Sequence, residues 1–536
     1  MAENARAIVD KLTALKHLRQ RHDDVWKQCY EMTFPLRADG LGSSVDAVQG
    51  LSKRAELLDD TGTESAKVLA ANIMNGLTPS NVRWFGQQVI GESDEDKRWL
   101  ETSSTVIWRE IHASNFDAAG YECAIDVVTA GWFALYVAEE RERQSFHFEQ
   151  WPISQLYCAA SKPGGRIDIV YREYQLTAEQ AVNKFGADAV SPQTVKLAAT
   201  KPNESVSFVH SIYPRKTHVV SARLAKNLPF ASCQVEIEAK HVVRESGYHE
   251  FPVIIPRWIT IPGSVYGVGP VYDVLPTIRE LNYLLFLYRS QGEIEIAPTT
   301  LVSSDGVVNP RTVKLGARKL IVVNDVERSI RQLPSAGNWQ LAESMIDRLQ
   351  AAIRKHLMAD VLQPQDGPAM TATEVHARMA LVRQMLGPMY GRFQAEYLQP
   401  LVERCFGIAY RAGWLGQAPQ SLAGKSFTVK YLSPMARSQM AEEVTAIQQY
   451  MGVVAQAAQF KPEALDSLDI DEALAHVGRG LGVPATIIPT SEDLQEYRES
   501  KAQAQEQIEQ QQSQSQMQGM AAQAVADRYA KGGVRG

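Results

Sequence analysis

The sequence carries little of what marks an enzyme, a secreted protein or a membrane protein. Only five of its 536 residues are cysteine. Cys29, Cys123, Cys158, Cys233 and Cys405 are scattered, odd in number and without C-x-x-C spacing. That excludes a disulfide framework or zinc ribbon and predicts reduced thiols in a protein made in a cytosol. No apolar run is long enough to cross a bilayer, and Met-Ala-Glu-Asn-Ala-Arg at the start lacks the apolar core of a secretory signal. Positive charge is also short, with 55 Lys and Arg against 61 Asp and Glu. Phosphate binding needs a basic face, so a protein that coats nucleic acid is disfavoured. A protein past which nucleic acid slides is not.

Catalytic signatures are missing too. Gly424-Lys425-Ser426 ends like a P-loop, but Pro419 holds the place of its first glycine. Gly267 and Gly269 lack a third glycine, because Tyr272 stands there. His112, His147, His210, His356 and His376 show no metal-ligand spacing, and G-x-S-x-G is absent. The sequence therefore predicts no catalytic residue, no metal and no cofactor.

What is there is a long chain with the composition of a soluble globular protein, enough for several domains. Residues 5–32 read as one helix, with Ile8, Leu12, Leu15 and Leu18 as its stripe and Phe34-Pro35 as its end. A second helix runs from Glu64 to Leu77 behind a Thr63 cap, with Val68, Ala71, Ile73 and Leu77 along it. Further helices are expected from about Ser93 and from Asp117 to Phe133. From Leu135 the period changes to short strands, with Lys162–Gly165 as a hairpin turn and Thr177–Phe185 as a capped helix. Helices followed by strands give an α+β, mainly helical fold.

The stretch from Tyr266 to Pro400 organises the rest: helix, small β insert, helix, loop, long helix. In the first of these helices Ile278, Leu281, Leu284, Leu285 and Tyr288 share one face, and Phe286 and Leu287 widen it. An apolar surface that wraps so far is buried on several sides. Arg279, Glu280, Asn282 and Arg289 make it unsuited to a membrane. Pro276 suits a first turn; a helix starting at Tyr272 would be kinked there. The second helix presents Trp339, Leu341, Met345, Ile346, Leu349 and Ile353 on one side. It ends in Arg354, Lys355 and His356, which match the helix dipole.

Several stretches then carry a resemblance: Leu77-Thr-Pro-Ser-Asn-Val-Arg-Trp-Phe85, Tyr266-Gly-Val-Gly-Pro270 through Asn282, Thr371-Ala-Thr-Glu-Val-His-Ala-Arg378, Tyr431-Leu-Ser-Pro-Met-Ala-Arg437 and a Gln-rich C-terminus. In this order they resemble the portal (head-to-tail connector) proteins of short-tailed, T7-like bacteriophages, over nearly the whole chain. The resemblance implies a portal fold of wing, stem, clip and crown, assembled as a ring, usually of twelve subunits, with a central channel. It implies a wing over 1–268, stem helices over 269–292 and 338–359, and a clip over 293–337. A tunnel loop over 360–370, the long wing helix and a strand over 371–440, a crown over 441–490 and a Gln-rich tail or barrel helix over 491–536 complete it. The long helix is expected to bend at Gly387-Pro388.

The implied partners are further copies of the chain, double-stranded DNA passing non-specifically, the terminase large subunit, tail adaptor and tail proteins, and the major capsid and scaffolding proteins. No membrane is implied. The implied location is the portal vertex of a virion, after synthesis in the bacterial cytoplasm. Gln363, Gln365 and Asp366, with Arg354 and Lys355, are the expected tunnel residues. Ile278, Leu281, Leu284, Leu285 and Tyr288 are the expected inter-subunit packing of the stem. Arg311, Lys314, Arg318 and Lys319 are the adaptor-binding candidates of the clip.

Overall fold

Helix α1 (Ala2–Thr33) runs unbroken to Phe34-Pro35, as its periodicity predicts. The computed structural model describes residues 2–38, 41, 54, 56–89, 94–140, 142–217, 224–296, 300–302, 330–332, 339–362, 387, 389–422, 428–431, 434–461, 469–481 and a few positions from 494 to 501. Ala5, Ile8, Leu12 and Leu15 of α1 are buried, but Leu18 is exposed and Arg19 takes the inward place. Helix α2 (Thr61–Leu77) starts two residues before the expected Thr63 cap. Asp59 Oδ1 accepts the Thr61 N–H (2.8 Å), and the Thr63 hydroxyl donates to the Thr33 carbonyl instead. Its buried face is Ala66, Leu69, Ala70 and Ile73, so of the expected stripe only Ile73 is fully buried.

Strand β1 (Phe85–Gln88), helix α3 (Asp94–Ala113) and helix α4 (Phe116–Thr129) follow. Helix α4 ends four residues earlier than expected. Gly131 there has φ 87° and turns the chain into an extended run. Strands β2 (Leu135–Glu140) and β3 (Ser145–Gln150) form a hairpin, and β4 (Leu156–Ala159) connects through a turn at Lys162–Gly165 to β5 (Ile169–Thr177). Helix α5 (Ala178–Phe185) has the expected Thr177 cap, closed as a capping box with Gln180. Next come helix α6 (Pro192–Thr200) and strands β6 (Ser205–Pro214), β7 (Phe230–Glu236) and β8 (His241–Tyr248). Three short strands, β9 (Val253–Ile254), β10 (Ile259–Thr260) and β11 (Gly267–Val268), lead to the central stretch.

Helix α7 spans Pro270–Ile296. It starts at Pro270, not at Pro276, because Pro270 takes the first-turn place where no amide partner is lost. Pro276 lies inside the helix and leaves the Tyr272 carbonyl without its helical donor. The insert shows strands β12 (Thr300–Val302) and β13 (Ile330–Gln332), paired antiparallel. Helix α8 (Trp339–His356) stops three residues short of the expected Ala359, because Met358 adopts a left-handed conformation (φ 59°). Helix α9 (Ala359–Leu362) follows. The expected bend at Pro388, the tunnel-loop residues 363–370 and the helix start over 371–386 lie outside the described residues. Residues 389–393 are helical, Gln394–Leu398 form a π turn, and helix α10 is Gln399–Arg411. Strand β14 (Thr428–Tyr431), helix α11 (Pro434–Phe460) and helix α12 (Ile470–Leu481) close the described chain.

Two compact units result. The larger comprises residues 1–82 and 107–416. Its five-stranded antiparallel sheet has the order β4-β5-β6-β7-β8. On one face, Ala5, Ile8 and Leu12 of α1 pack on Tyr171, Val209 and Val235. On the other, α5 and α6 cover Val206 and Phe208. The alternation in β6 sends Val206 and Phe208 to one side and Val209 to the other. A three-stranded sheet, β3-β2-β9, adjoins a core around Trp26, Trp132, Trp151 and Tyr266. All five cysteines are free and buried.

The smaller unit comprises residues 83–106 and 417–536. There β1 pairs with β14, Phe85 opposite Tyr431. Trp84 and Phe85 are buried and meet edge to face at 4.7 Å. Helices α11 and α12 pack on one another. No helix among the described residues is long and apolar enough to cross a membrane.

Candidate functional site: the paired helices

The site grows out of Tyr266. Its ring packs edge-on to Trp26 (5.2 Å) and beside Trp132 (5.2 Å), and its hydroxyl accepts the Cys158 backbone N–H at 3.0 Å. Gly267 and Gly269 follow, pressed against the end of α4. A Cβ on Gly269 would stand 2.5 Å from the Val128 carbonyl, and one on Gly267 would stand 2.3 Å from that of Gly131. The two glycines that fail as a nucleotide motif therefore make a close backbone contact, and they aim α7.

The first half of α7 is rooted in the larger unit. Val271, Val274, Leu275, Ile278 and Leu281 are buried. Arg279 donates to Gln28 (2.6 Å), and Asn282 accepts the Leu58 backbone N–H (2.8 Å). Beyond Leu281 the burial falls away. Leu284, Leu285 and Tyr288 are half-buried, while Tyr283 is 63% and Phe286 56% exposed.

Helix α8 returns antiparallel along α7. Trp339, at its start, meets Tyr288 edge to face at 4.7 Å and donates its indole N–H to Glu295 at 2.6 Å. Near its other end Gln350 donates to Asp59 (2.7 Å), and Ile353 is buried. Leu341 and Met345 remain exposed, so only part of the expected apolar face of α8 is covered within the chain. The pair thus presents Tyr283 and Phe286 of α7 and Leu341 and Met345 of α8 as exposed apolar side chains.

A family model described as bacteriophage head to tail connecting protein matches residues 5–488. The chain belongs to this family. Two similar proteins align over nearly all of the connector. The portal protein of Salmonella phage epsilon15 is 26% identical, covering 94% of this chain and 92% of its own length. The probable portal protein of Bordetella phage BPP-1 is 28% identical, covering 92% and 90%. The family resemblance read from the sequence is borne out.

In the connector, Ile278 and Leu281 lie on the rooted part of α7, where they pack within the chain; Ile278 rests against Gly62. Leu284, Leu285 and Tyr288 lie on the outer part beside α8. Arg354 and Lys355 are exposed in the last turn of α8, next to His356, whose Nδ1 lies 2.9 Å from the Ala352 carbonyl. Gln363, Gln365 and Asp366, and Arg311, Lys314, Arg318 and Lys319, lie outside the described residues.

The sequence reading missed two ionic clamps that hold the last part of the long helix. Arg257 pairs with Glu396 (Nη2–Oε1 2.5 Å), both side chains being about nine-tenths buried. Glu250 accepts from Arg404 (2.9 Å) and from Arg411 (2.6 and 2.7 Å). Burial pushes the Glu250 carboxyl up, but the two guanidiniums outweigh it and hold it below its ordinary range. The one available signal was Arg257 itself, a lone cation in the apolar run Ile254-Ile-Pro-Arg-Trp-Ile259.

Proposed function

We propose that this connector is a phage portal: a ring at one capsid vertex through which double-stranded DNA is packaged and later ejected. The observation that supports it best is the α7–α8 pair. Tyr283, Phe286, Leu341 and Met345 are exposed on rigid helices of a chain in the head-to-tail connecting family. A closed ring needs two different surface patches that meet between neighbours, and a helix pair with apolar groups on both members supplies them.

In this reading α7 up to residue 292 and α8 are the stem, residues 293–337 the clip and 360–370 the tunnel loop. The remaining helices and sheets are the wing, and 441–490 the crown. Twelve copies surround the channel. The terminase large subunit and then tail adaptors dock on the ring, capsid and scaffolding proteins surround it, and it performs no covalent chemistry. The loop Gln363-Pro-Gln-Asp-Gly-Pro368 has no cation, which suits DNA that must advance without strong phosphate contacts being broken at every step.

Native mass measurement tests the ring. Twelve chains of 59.5 kDa give a species of about 0.7 MDa, and imaging should then show a channel of roughly 20 Å, wide enough for a duplex. A stable monomer or dimer at micromolar concentration overturns the reading.

A further inference from the structure

The long helix does not keep one hydrogen-bond register. Over Gln394–Leu398 it widens into a π turn, in which the Gln399 N–H donates to the Gln394 carbonyl, five residues back. Such single turns hold one residue more than the regular helix and tend to mark places with a function. Here one clamp holds the turn and another holds the helix after it. Downstream, Glu250 holds Arg404 and Arg411, and Leu401, Val402 and Cys405 are buried. At the turn itself, Arg257 grips Glu396 through Nε (3.1 Å), Nη2 (2.5 Å) and its own backbone N–H (3.1 Å). The next residue reinforces the grip: the Trp258 carbonyl accepts from Arg392 (3.0 Å), and the Trp258 ring meets Phe393 edge to face.

We propose that the π turn is a register switch in the long helix, latched by the Arg257–Glu396 pair. In the latched state the extra residue is stored in the turn, and Arg392, Phe393 and Glu396 all face the loop at Arg257-Trp258. In the released state the turn anneals to regular helix. Residues 389–393 then advance by one residue, a rotation of about 100° and a translation of about 1.5 Å. The downstream part, pinned by Glu250, does not move. The switch rests on the portal reading in one respect only, that the upstream end of this helix leads to the channel.

Distances between two spin labels test it. Gly391→Cys and Ala412→Cys place labels on either side of the turn. Both positions are exposed, and a Cβ on Gly391 meets nothing within 4 Å. The native thiols are buried and do not compete; burial pushes those of Cys29 and Cys158 up to about 12. Labelled chains are diluted with unlabelled ones, so that only distances within a chain are read. The otherwise native sequence should give one distance. Arg257→Met with Glu396→Met removes both buried charges together, so neither is left unpaired and the fold is kept. It should add a second distance at a longer separation. Deleting Ala395, an exposed residue of the turn, removes the stored residue and leaves nothing to release. On the double-Met background that deletion should return the single original distance. One distance in the double-Met protein, or a second distance that survives the deletion, overturns the switch. Ring mass is read on the same samples: a protein that switches but forms no rings overturns the portal reading and leaves the switch standing.

Discussion

Asn115 hydrogen-bonds the backbone of Phe148 through both ends of its amide, accepting the Phe148 N–H at 2.9 Å and donating to the Phe148 carbonyl at 2.7 Å. Phe148 lies in β3, the edge strand of the three-stranded sheet. Asn115 precedes α4 and by sequence is a natural helix cap, yet its side chain makes no cap bond. It serves as a one-residue strand and closes an edge that would otherwise be open to pairing. Asn115→Ala should therefore cost about 1–3 kcal/mol in denaturant unfolding, the penalty of two partly buried groups left unmade. Asn115→Asp should fall between, since it still accepts the N–H but sets a carboxylate against the carbonyl. If both variants unfold with the native midpoint, water closes that edge as well as Asn115 does.

The outer half of α7 should matter to assembly and not to the fold of the chain. Phe286 is exposed, and glutamate is a good helix former. Phe286→Glu should change the stability of the chain by no more than about 0.5 kcal/mol, as exposed substitutions do. It should nevertheless abolish the ring by native mass, because a charge would have to enter an apolar contact without a partner. Leu284→Asp should damage both, since Leu284 is already half-buried beside α8. Rings of normal mass from Phe286→Glu would remove α7 from the subunit interface.

These examples show what was legible in the sequence. Periodicity and caps gave α1, the α5 capping box, the Lys162–Gly165 turn and the existence of α7 and α8. What escaped was decided by contacts between distant residues. Strand β4 is four residues, the first three buried, with no alternation to read. Leu18 fitted the α1 stripe, yet Arg19 takes the inward place because three backbone carbonyls wait there. The direction of α7 depends on close packing of Gly267 and Gly269 on α4, and the end of α8 on the backbone of Met358. The α7 face was legible as apolar, but composition does not separate the half that packs within the chain from the half left exposed. The clamps at Arg257 and Glu250 join residues more than 130 positions apart, where no local pattern reaches.

Acid stability should carry the mark of His210. It is buried in β6, with Nε2 2.9 Å from the Ser232 hydroxyl. Burial first, and then Arg172, Lys184 and Arg244, lower its pKa from 6.5 to about 3. The unfolded chain takes up a proton below 6.5 that the folded chain refuses, so stability falls as pH drops from there toward about 3. The slope for this one group approaches about 1.4 kcal/mol per pH unit. Glu250 acts lower. Its folded pKa is depressed below 4.5, so its contribution is present above that value and is lost as pH falls further. His210→Gln should flatten the stability curve between about pH 6 and 5, whereas Glu250→Gln should leave the slope there unchanged. Equal slopes for native protein and His210→Gln would mean that the ring protonates without unfolding.

Arg19 makes the last prediction. It is 3% exposed on α1, and its Nη1 is shared among the carbonyls of Ile153 (2.9 Å), Ser154 (2.8 Å) and Leu156 (2.8 Å). Its Nε lies 3.0 Å from Asp23, and its guanidinium covers the Tyr157 ring at 4.2 Å. It ties α1 to the turn that begins β4 and so fixes where that helix lies. Arg19→Met keeps the stem but leaves three carbonyls and Asp23 without a partner, at an expected cost of about 3–5 kcal/mol. Arg19→Lys keeps the charge and loses the planar fork, so it should fall between the two. Adding Asp23→Leu to Arg19→Met should recover part of the loss, because one of the unpaired groups is then gone. Denaturant midpoints in the order native, Lys, Met/Leu, Met would establish that the buried cation acts through its hydrogen bonds. A Lys variant no more stable than Met would assign the effect to the fork alone.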